Sequence, residues 1–305
     1  MMNGEKFLEE TSQSMNKDYI IVKQDEPEST RLLAAMRYLY WISKQIRLIR
    51  VGLTILFPVI GVICANFFSV AIPTIAVLSA VWLILNRTWV QEVEKSIVQN
   101  AAKIQEEFDV ALFQINWNDT LVGQKLDPEY KMRLNQKFKG DRDKLKEWYQ
   151  GLKATSHFSN VLLAQRTNIV WDMNLRKFYG NFLIVIFSLC LILFILIGFY
   201  LDLSFQSLIL SLFIPSLPLL LHLVETAIAH KKRSYSLGAV STKITNEILN
   251  STSDNIKIRC RQFQDCIYLK RCDINTVPEK IYWLKRITYD KLSKEVNEEY
   301  SNSEN

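Results

Sequence analysis

The stretch FLIVIFSLCLILFILIGFYLDLSFQSLILSLFIPSLPLLLHLV, residues 182–224, decides the fold of this chain. Its only Asp, Glu, Lys or Arg is Asp202, near its middle. A helix that crosses a membrane needs about 20 consecutive, mostly apolar residues. The stretch therefore predicts two spans, residues 182–200 and 205–224, joined by a short turn around Asp202 and Ser204.

A second apolar stretch, residues 48–85, holds one charged side chain, Arg50, close to its start. It is long enough for two further spans, residues 49–66 and 70–85. Lys and Arg cluster on the outer flanks of both pairs and are absent from both turns. Since positively charged flanks stay on the cytoplasmic side, we expect a multi-pass membrane protein with both termini in the cytoplasm.

The segments outside the spans read as amphipathic helices. Apolar residues recur every three or four positions from Val90 to Ile115, and residues 86–119 contain no Pro or Gly. This period is typical of a helix, so the second span is expected to continue out of the bilayer as a helix. Strand patterns are absent. The predicted fold class is an all-α membrane protein, with four transmembrane helices in two hairpins extended into a cytoplasmic helical domain.

The same patterns divide the chain into six parts. The two ends are polar and predicted to be flexible, and the apolar hairpins alternate with charged helical regions. The predicted parts are a flexible segment at 1–28, a helix plus the first hairpin at 29–86, a cytoplasmic helical region at 87–181, the second hairpin at 182–225, C-terminal cytoplasmic helices at 226–295 and a flexible tail at 296–305.

Polar and aromatic residues that could bind a ligand fall into three groups. One lies on the helix that leads into the third span, where Gln165, Asn168, Asp172 and Arg176 form a polar stripe flanked by Arg166 and Trp171. The next is a polar face on a C-terminal helix, and the last holds aromatic rings. The candidates are Arg166, Trp171, Asp172 and Arg176; Arg261, Gln264, Tyr268 and Arg271; and Trp117, Trp148 and Tyr149. Guanidinium groups pair with phosphates and rings stack on bases. The alternative is an interhelical network in which Asp172 pairs with an arginine of another helix.

Signatures of catalysis are missing from the sequence. There is no GxSxG elbow, P-loop, HExxH motif or Gly-rich dinucleotide turn, so we do not expect an enzyme. The five cysteines show neither CxxC nor zinc-ligand spacing, and neither a metal site nor a cofactor is expected. His222 and Glu225 lie three residues apart near the inner end of the fourth span, without a second such pair.

Five blocks, in order along most of the chain, resemble one known family. They combine arginine, aromatic and amide positions that are specific when taken together. The blocks are LAAMRYLYWISKQIR (33–47), AAKIQEEFDVALFQINWN (101–118), LKEWY (145–149), AQRTNIVWDMNLRKFY (164–179) and RCRQFQDCIYLKR with VPEKIYW (259–283). They resemble the SMODS-associated four-transmembrane effectors of bacterial CBASS anti-phage defence. Ala164 stands where that family often has Cys.

The resemblance implies an effector of the bacterial inner membrane. Such a protein senses a cyclic oligonucleotide made by a cGAS-like nucleotidyltransferase and disrupts or permeabilises the membrane, which causes growth arrest or cell death. It implies a lipid bilayer and a cyclic oligonucleotide as partners, and no DNA or long RNA. Because four spans cannot enclose a wide pore, a homo-oligomer is expected. The alternative is a ligand-independent membrane channel, transporter or scaffold.

Overall fold

The computed structural model describes residues 19–67, 72–200, 202, 204–208, 213–250 and 255–303. Every regular element within these residues is helical and none is a strand, which confirms the all-α prediction. The α-helices are α1 (Tyr19–Lys23), α2 (Pro27–Phe67), α3 (Ile72–Leu85), α4 (Gln91–Phe113), α5 (Asp119–Val122), α6 (Pro128–Lys137), α7 (His157–Tyr200), α8 (Phe205–Leu208), α9 (Ile214–Leu249), α10 (Ile256–Arg271) and α11 (Glu279–Ser303).

The helical continuity expected from the sequence is confirmed. Helices α2, α7 and α9 each run without a break from a charged segment through an apolar one. Helix α3 reaches α4 through a five-residue π-helical segment, Asn86–Val90, in which the backbone stays helical on both sides. There Thr88 donates its hydroxyl hydrogen to the carbonyl of Ile84 at 2.8 Å. A helix of this kind connects its two ends mechanically, because no loop separates them.

The main hydrophobic core lies in the charged half of the molecule, where α2 packs along α4 and α10 joins α4 to α7. Ala101, Ile104, Phe108 and Leu112 form one stripe of α4 and are all buried, as the period of three and four predicted. Burying a side chain of the size of Phe or Leu stabilises the fold by about 1.5–3 kcal/mol. This core holds the polar helices together independently of the apolar segments.

Helices α7 and α9 pack closely along each other. Gly180 makes this approach possible, because a Cβ atom there would lie 3.2 Å from the carbonyl oxygen of Ala227 and 3.0 Å from Cγ of Lys231. Further along α7 the apolar side chains of Leu193, Leu196 and Phe199 are exposed. Exposed apolar surface of this extent is unusual on a water-soluble protein and is typical of a helix that faces lipid.

One helix among the described residues, His157–Tyr200, is long and apolar enough to cross a membrane. It contains the third predicted span. The remaining spans include or adjoin residues outside the described ranges, such as 68–71 and 209–212. The arrangement of four spans in two hairpins therefore stays a prediction.

Each end that was predicted to be flexible contains residues that are helical. Residues 19–28 include α1 and the start of α2, and Gln24 is buried with its side chain bonded to the backbone of Tyr149 at 2.8 and 3.2 Å. At the other end α11 continues to Ser303, and Asn297 and Ser301 are buried against the loop before α7. The polar composition was misleading because these side chains bond to backbone groups. Residues 1–18 and 304–305 lie outside the described residues.

Candidate functional site

A cavity of about 1010 Å³ lies between α2, α7, α9, α10, α11 and the loop that follows α6. Among the described residues that line it, ten are Lys or Arg, six are Asp or Glu, and nine are aromatic. This excess of positive charge favours an anionic ligand, and the rings offer surfaces on which flat groups stack. The volume lies at the upper end of the range of about 300–1,000 Å³ that is usual for small-molecule sites.

The structure brings together about half of the residues predicted to bind a ligand. Six of the eleven candidates line the cavity and five lie outside it. Those that line it are Trp148, Tyr149, Trp171, Asp172, Arg176 and Arg271. Those outside are Arg166, Arg261, Gln264, Tyr268 and Trp117.

One wall of the cavity is an ion-pair cluster that we name the Asp172 network, made of Asp172, Arg176, Arg233, His230 and Asp273. The spacing of four residues on α7 places Arg176 over Asp172, and its Nε donates to Oδ1 at 2.8 Å. Arg233 of α9 reaches Asp172 Oδ2 at 3.3 Å and Asp273 at 2.7 Å. The interhelical pairing considered for Asp172 is therefore present, and it forms part of the cavity wall.

Two pKa shifts follow from the packing of this network. Burial raises the pKa of the Asp172 carboxyl, but Arg176 and Arg233 outweigh burial and hold it below its ordinary value. Burial and the Arg176 guanidinium lower the pKa of His230 to about 3. His230 is therefore neutral at neutral pH, and its Nδ1 accepts a hydrogen bond from Nη1 of Arg176 at 3.1 Å. Arg176 also donates to the carbonyl of Asn275 at 2.6 Å.

A second polar cluster, the Glu106 network, lies behind the cavity. It consists of Glu106, Asp109, Gln264, Arg261 and Arg271. The side chains of both carboxylates are 0% exposed. Glu106 accepts from Arg261 at 2.6 Å and from Gln264 at 2.8 Å, and Asp109 accepts from Gln264 at 3.0 Å and from Arg271 at 2.5 Å. The amide of Gln264 thus bridges two carboxylates, which gives Arg261 and Gln264 structural partners within the chain.

The Glu106 network reaches the cavity at its edge. The Tyr149 hydroxyl donates to Asp109 at 2.7 Å and accepts from Asn168 at 2.7 Å. Tyr149 and Arg271 line the cavity as well, so the Glu106 network meets the cavity at these side chains.

The three remaining candidates also have partners away from the cavity. Arg166 donates to the Thr245 hydroxyl at 3.0 Å and lies over the ring of Tyr300 at 5.0 Å. The Trp117 indole donates to the Gly123 carbonyl at 2.9 Å. Tyr268 is buried in a small apolar cluster with Ala102 and Val122. Their side chains fix helices and loops in place.

The opposite wall holds residues that sequence reasoning did not propose as ligand contacts. We name it the Trp283 cluster, after an indole surrounded by Arg37, Lys144 and Arg286. The three cationic groups lie 5.3, 5.3 and 5.0 Å from the centre of the Trp283 ring. Arg37 also lies 5.5 Å from the Trp148 ring. A cluster that combines rings and cations suits both the bases and the phosphates of a nucleotide.

The neighbouring Tyr282 and Glu279 connect the Trp283 cluster to α2. Arg37 donates to the Tyr282 hydroxyl at 3.0 Å, and Lys44 forms an ion pair with Glu279. Burial lowers the pKa of Lys44, and Lys44 and Arg37 hold the pKa of Glu279 below its ordinary value although burial alone would raise it. The lowered pKa of Glu279 keeps its carboxylate charged at neutral pH.

A sequence signal for these residues did exist. Arg37 and Lys44 lie in the block at 33–47, and Glu279, Tyr282 and Trp283 lie in VPEKIYW. Both blocks belong to the family resemblance. In the sequence alone, however, the basic residues of the first block indicate the cytoplasmic flank of a membrane span. Only the packing of α11 against α2 and α7 shows that they share a cavity.

Three arginines that line the cavity keep a buried guanidinium nitrogen without a hydrogen-bond partner within the described part of the chain. They are Arg37 at Nε, Arg233 at Nε and Arg271 at Nη2. A buried donor left unpaired costs about 1–3 kcal/mol. A phosphate oxygen is the kind of acceptor that guanidinium donors bind. Over the described residues, no cluster of three or more His, Cys, Asp or Glu has the geometry to hold a metal ion.

Comparison with known proteins agrees with the resemblance found in the sequence. The profile of the SMODS-associating 4TM effector domain matches residues 18–300. The chain is 33% identical over 286 residues to a probable CBASS effector molecule of Bacillus cereus strain VD146. The aligned residues make up 91% of this chain and 97% of that relative. No solved structure matches the chain.

Proposed function

The chain belongs to the SMODS-associating 4TM effector family, and on this premise we propose that it acts as a membrane effector of a cyclic-oligonucleotide anti-phage system. A cyclic oligonucleotide made by a cGAS-like nucleotidyltransferase binds in the cavity. Binding changes the packing of the membrane helices, and the inner membrane is permeabilised. The chain catalyses no reaction in this scheme and uses no metal or cofactor.

The observation that carries this proposal is the position of the cavity on the continuous helices. Arg37 and Lys44 come from α2, Arg176 from α7 and Arg233 from α9. Each of these helices continues without interruption into a predicted span. A ligand that draws the cations together therefore acts directly on the cytoplasmic ends of three spans.

The chemistry of the cavity agrees with an oligonucleotide of a few residues. Guanidinium groups bind phosphates in two-pronged geometry, and aromatic side chains stack on bases. Five of the six acidic residues of the lining form ion pairs with its basic residues, namely Asp141, Asp172, Asp273, Glu279 and Asp290. A ligand with phosphodiester groups competes for the same cations, and such competition provides the difference in affinity between two states that a ligand switch requires.

The membrane arrangement in this proposal keeps the four spans in two hairpins, with both termini cytoplasmic. Several chains assemble in the inner membrane, because the four helices of one chain are too few to surround a wide pore. The exposed apolar side chains of α7 support contact with lipid or with a second copy.

The deciding experiment uses the full chain in lipid vesicles that contain a fluorescent dye. Cyclic di- and trinucleotides are added one at a time, and dye release is recorded. We expect release with at least one of them and none without nucleotide. Release that needs no nucleotide would identify a ligand-independent channel, and the absence of release with every nucleotide would favour a scaffold.

A double variant on α7 tests the membrane step separately. Leu193→Arg with Leu196→Arg places two charges on exposed apolar positions, at a cost of about 2.5–3.5 kcal/mol each for insertion. We expect the variant to lose dye release and growth arrest, while the control Leu193→Ile with Leu196→Ile keeps both. Growth arrest by a double-Arg variant that is absent from the membrane fraction would eliminate the membrane mechanism.

A further inference from the structure

The Trp283 cluster has the properties of a binding subsite rather than of a structural contact. The Trp283 side chain is 37% exposed although it lies on the cavity. Three cations approach its ring, and one of them, Lys144, has a side chain that is 58% exposed. A packed core residue is normally covered by apolar neighbours, whereas this indole is surrounded by charged groups.

The acidic residues nearby only partly neutralise these cations. Arg286 pairs with Asp290 at 3.2 Å, Lys144 lies 3.7 Å from Asp141, and Glu279 is 4.0 Å from Arg37. Asp290 is shared with the Trp171 indole at 3.2 Å, and Glu279 with Lys44. Arg37 keeps its buried Nε without an acceptor in the described residues. The cluster therefore retains capacity for a further anionic group.

We propose that the Trp283 cluster is a nucleotide subsite in which a base stacks on the Trp283 ring and Arg37, Lys144 and Arg286 bind the adjoining phosphodiester. This inference rests on the proposed sensing of a nucleotide and adds where one nucleotide unit is recognised. The ligand class is an oligonucleotide with at least one unpaired base, because a stacking ring accepts any base.

A base that binds on Trp283 must displace one of the cations around the ring. The two faces of one indole cannot hold three cations and a base at the same time. A base that stacks on Trp283 takes the place of a cation, and the displaced cation becomes available to the phosphate next to that base. Displacement of Arg37 breaks its bond to Tyr282, which joins α11 to α2. Recognition of one base thus loosens a contact between the C-terminal helix and the helix of the first span.

The main test measures binding of a panel of cyclic di- and trinucleotides to the purified full chain by calorimetry. Trp283→Ala removes the stacking surface and is expected to weaken binding about 5- to 100-fold, the range for loss of one base–aromatic stack. Trp283→Phe keeps a ring and should stay close to the wild type. Trp89→Ala is the control, because Trp89 is an exposed tryptophan outside the cavity.

The phosphodiester contact of the subsite is tested with a matched pair of lysine variants. Lys144→Ala should weaken binding about two- to fivefold, as expected for an exposed ion pair, and should make binding less sensitive to salt. Lys146→Ala serves as the control, since Lys146 is two residues away, 54% exposed in its side chain and paired with Asp143 outside the cavity. Equal losses in both lysine variants would contradict a local contact.

The outcomes separate this inference from the function on which it rests. If the wild type binds no nucleotide of the panel, the proposed sensing itself is wrong. If the wild type binds one and Trp283→Ala binds it equally well, sensing stands and the base subsite is wrong. Failure of Trp283→Phe to restore binding, with an unchanged melting temperature, would also overturn the stacking role.

Discussion

The Glu106 network and the Asp172 network contain the same chemistry and differ in what surrounds them. Each combines carboxylates and arginines from several helices. Glu106 and Asp109 are fully enclosed, and a shared amide, Gln264, bridges them. The Asp172 network borders a cavity of about 1010 Å³. Unpaired nitrogens do not distinguish the two networks, because within the described residues Arg233 and Arg261 each have a buried Nε without a hydrogen-bond partner.

This difference gives a criterion for distinguishing a polar cluster that stabilises the fold from one that binds a ligand. In the closed network the chain itself supplies the partners of the buried carboxylates, so that removing one group strands another and costs stability. In the open network the charged groups also face a cavity, where a ligand can become a further partner. The two clusters should therefore respond to mutation in opposite ways, one in stability and the other in affinity.

The largest effect is expected from Asp109→Ala in the closed network. The change strands Arg271 and deprives the Tyr149 hydroxyl of its acceptor, and loss of one partner of a buried ion pair costs about 3–5 kcal/mol. The melting temperature in detergent should fall strongly. Glu107→Ala is the control, because this neighbouring carboxylate is partly exposed and pairs with Lys131. Equal melting temperatures for the two variants would show that the Glu106 network is not structural.

Next in size is the effect of Arg233→Ala on ligand affinity. Loss of a charge-assisted hydrogen bond to phosphate should weaken binding by about 1.5–3 kcal/mol, while Asp172 keeps Arg176 as a partner. Arg261→Ala is the matched variant in the closed network. It should lower the melting temperature and leave calorimetric affinity unchanged. If Arg261→Ala weakens binding as much as Arg233→Ala does, the distinction between the networks is lost.

A smaller effect concerns pH and His230. Its pKa of about 3 lies below the value of about 6.5 for an unfolded chain. The unfolded state therefore binds the proton more readily, and this part of the stability is present above about pH 6.5. It is lost as pH falls towards 3. Between pH 7 and pH 5 we expect a loss of about 1–2 kcal/mol.

The pH effect is checked by comparing thermal unfolding of the wild type and His230→Asn at each pH. The variant should lose less stability on acidification, because it removes the titrating ring and keeps an acceptor for Arg176. Glu106 has a pKa raised by burial, so it opposes the trend at lower pH in both proteins alike. Identical pH profiles would contradict the assignment to His230.

The smallest effect is expected at Arg166, which the sequence suggested as a ligand contact. Its guanidinium faces Thr245 and Tyr300 rather than the cavity. Arg166→Ala should therefore change ligand affinity by less than about 0.5 kcal/mol. A tenfold loss of affinity in the same calorimetric assay would place the ligand beyond the cavity and overturn its present boundaries.

Periodic features of the fold could be predicted from the sequence. The stripe from Ala101 to Leu112 and the unbroken helices α2, α7 and α9 follow from local spacing alone. The polar contacts could not be predicted, because Arg261 and Arg176 look alike in sequence and differ only in the carboxylates that tertiary packing brings to them. The same holds for α11, where Asn297 and Ser301 are polar yet buried through bonds to backbone groups.

The candidate site, like the fold, could be predicted only in part from the sequence. Asp172 and Arg176 were found because they share one helix face, which spacing reveals, and Trp171 was found because it flanks that face. Arg37 and Trp283 lie 246 positions apart, and only folding brings them within 5.3 Å. Contacts of such long range leave no local pattern, so half of the cavity could be found only in the folded chain.

The π-helical segment Asn86–Val90 has a consequence for the direction in which the second span faces. A π turn holds one residue more than an α turn. One extra residue corresponds to about 100° of rotation around a helix axis. Relative to an unbroken α-helix, the segment therefore changes the angular phase between α3 and α4, so that the side of α3 that continues the buried stripe of α4 differs from the side that the sequence period alone would give.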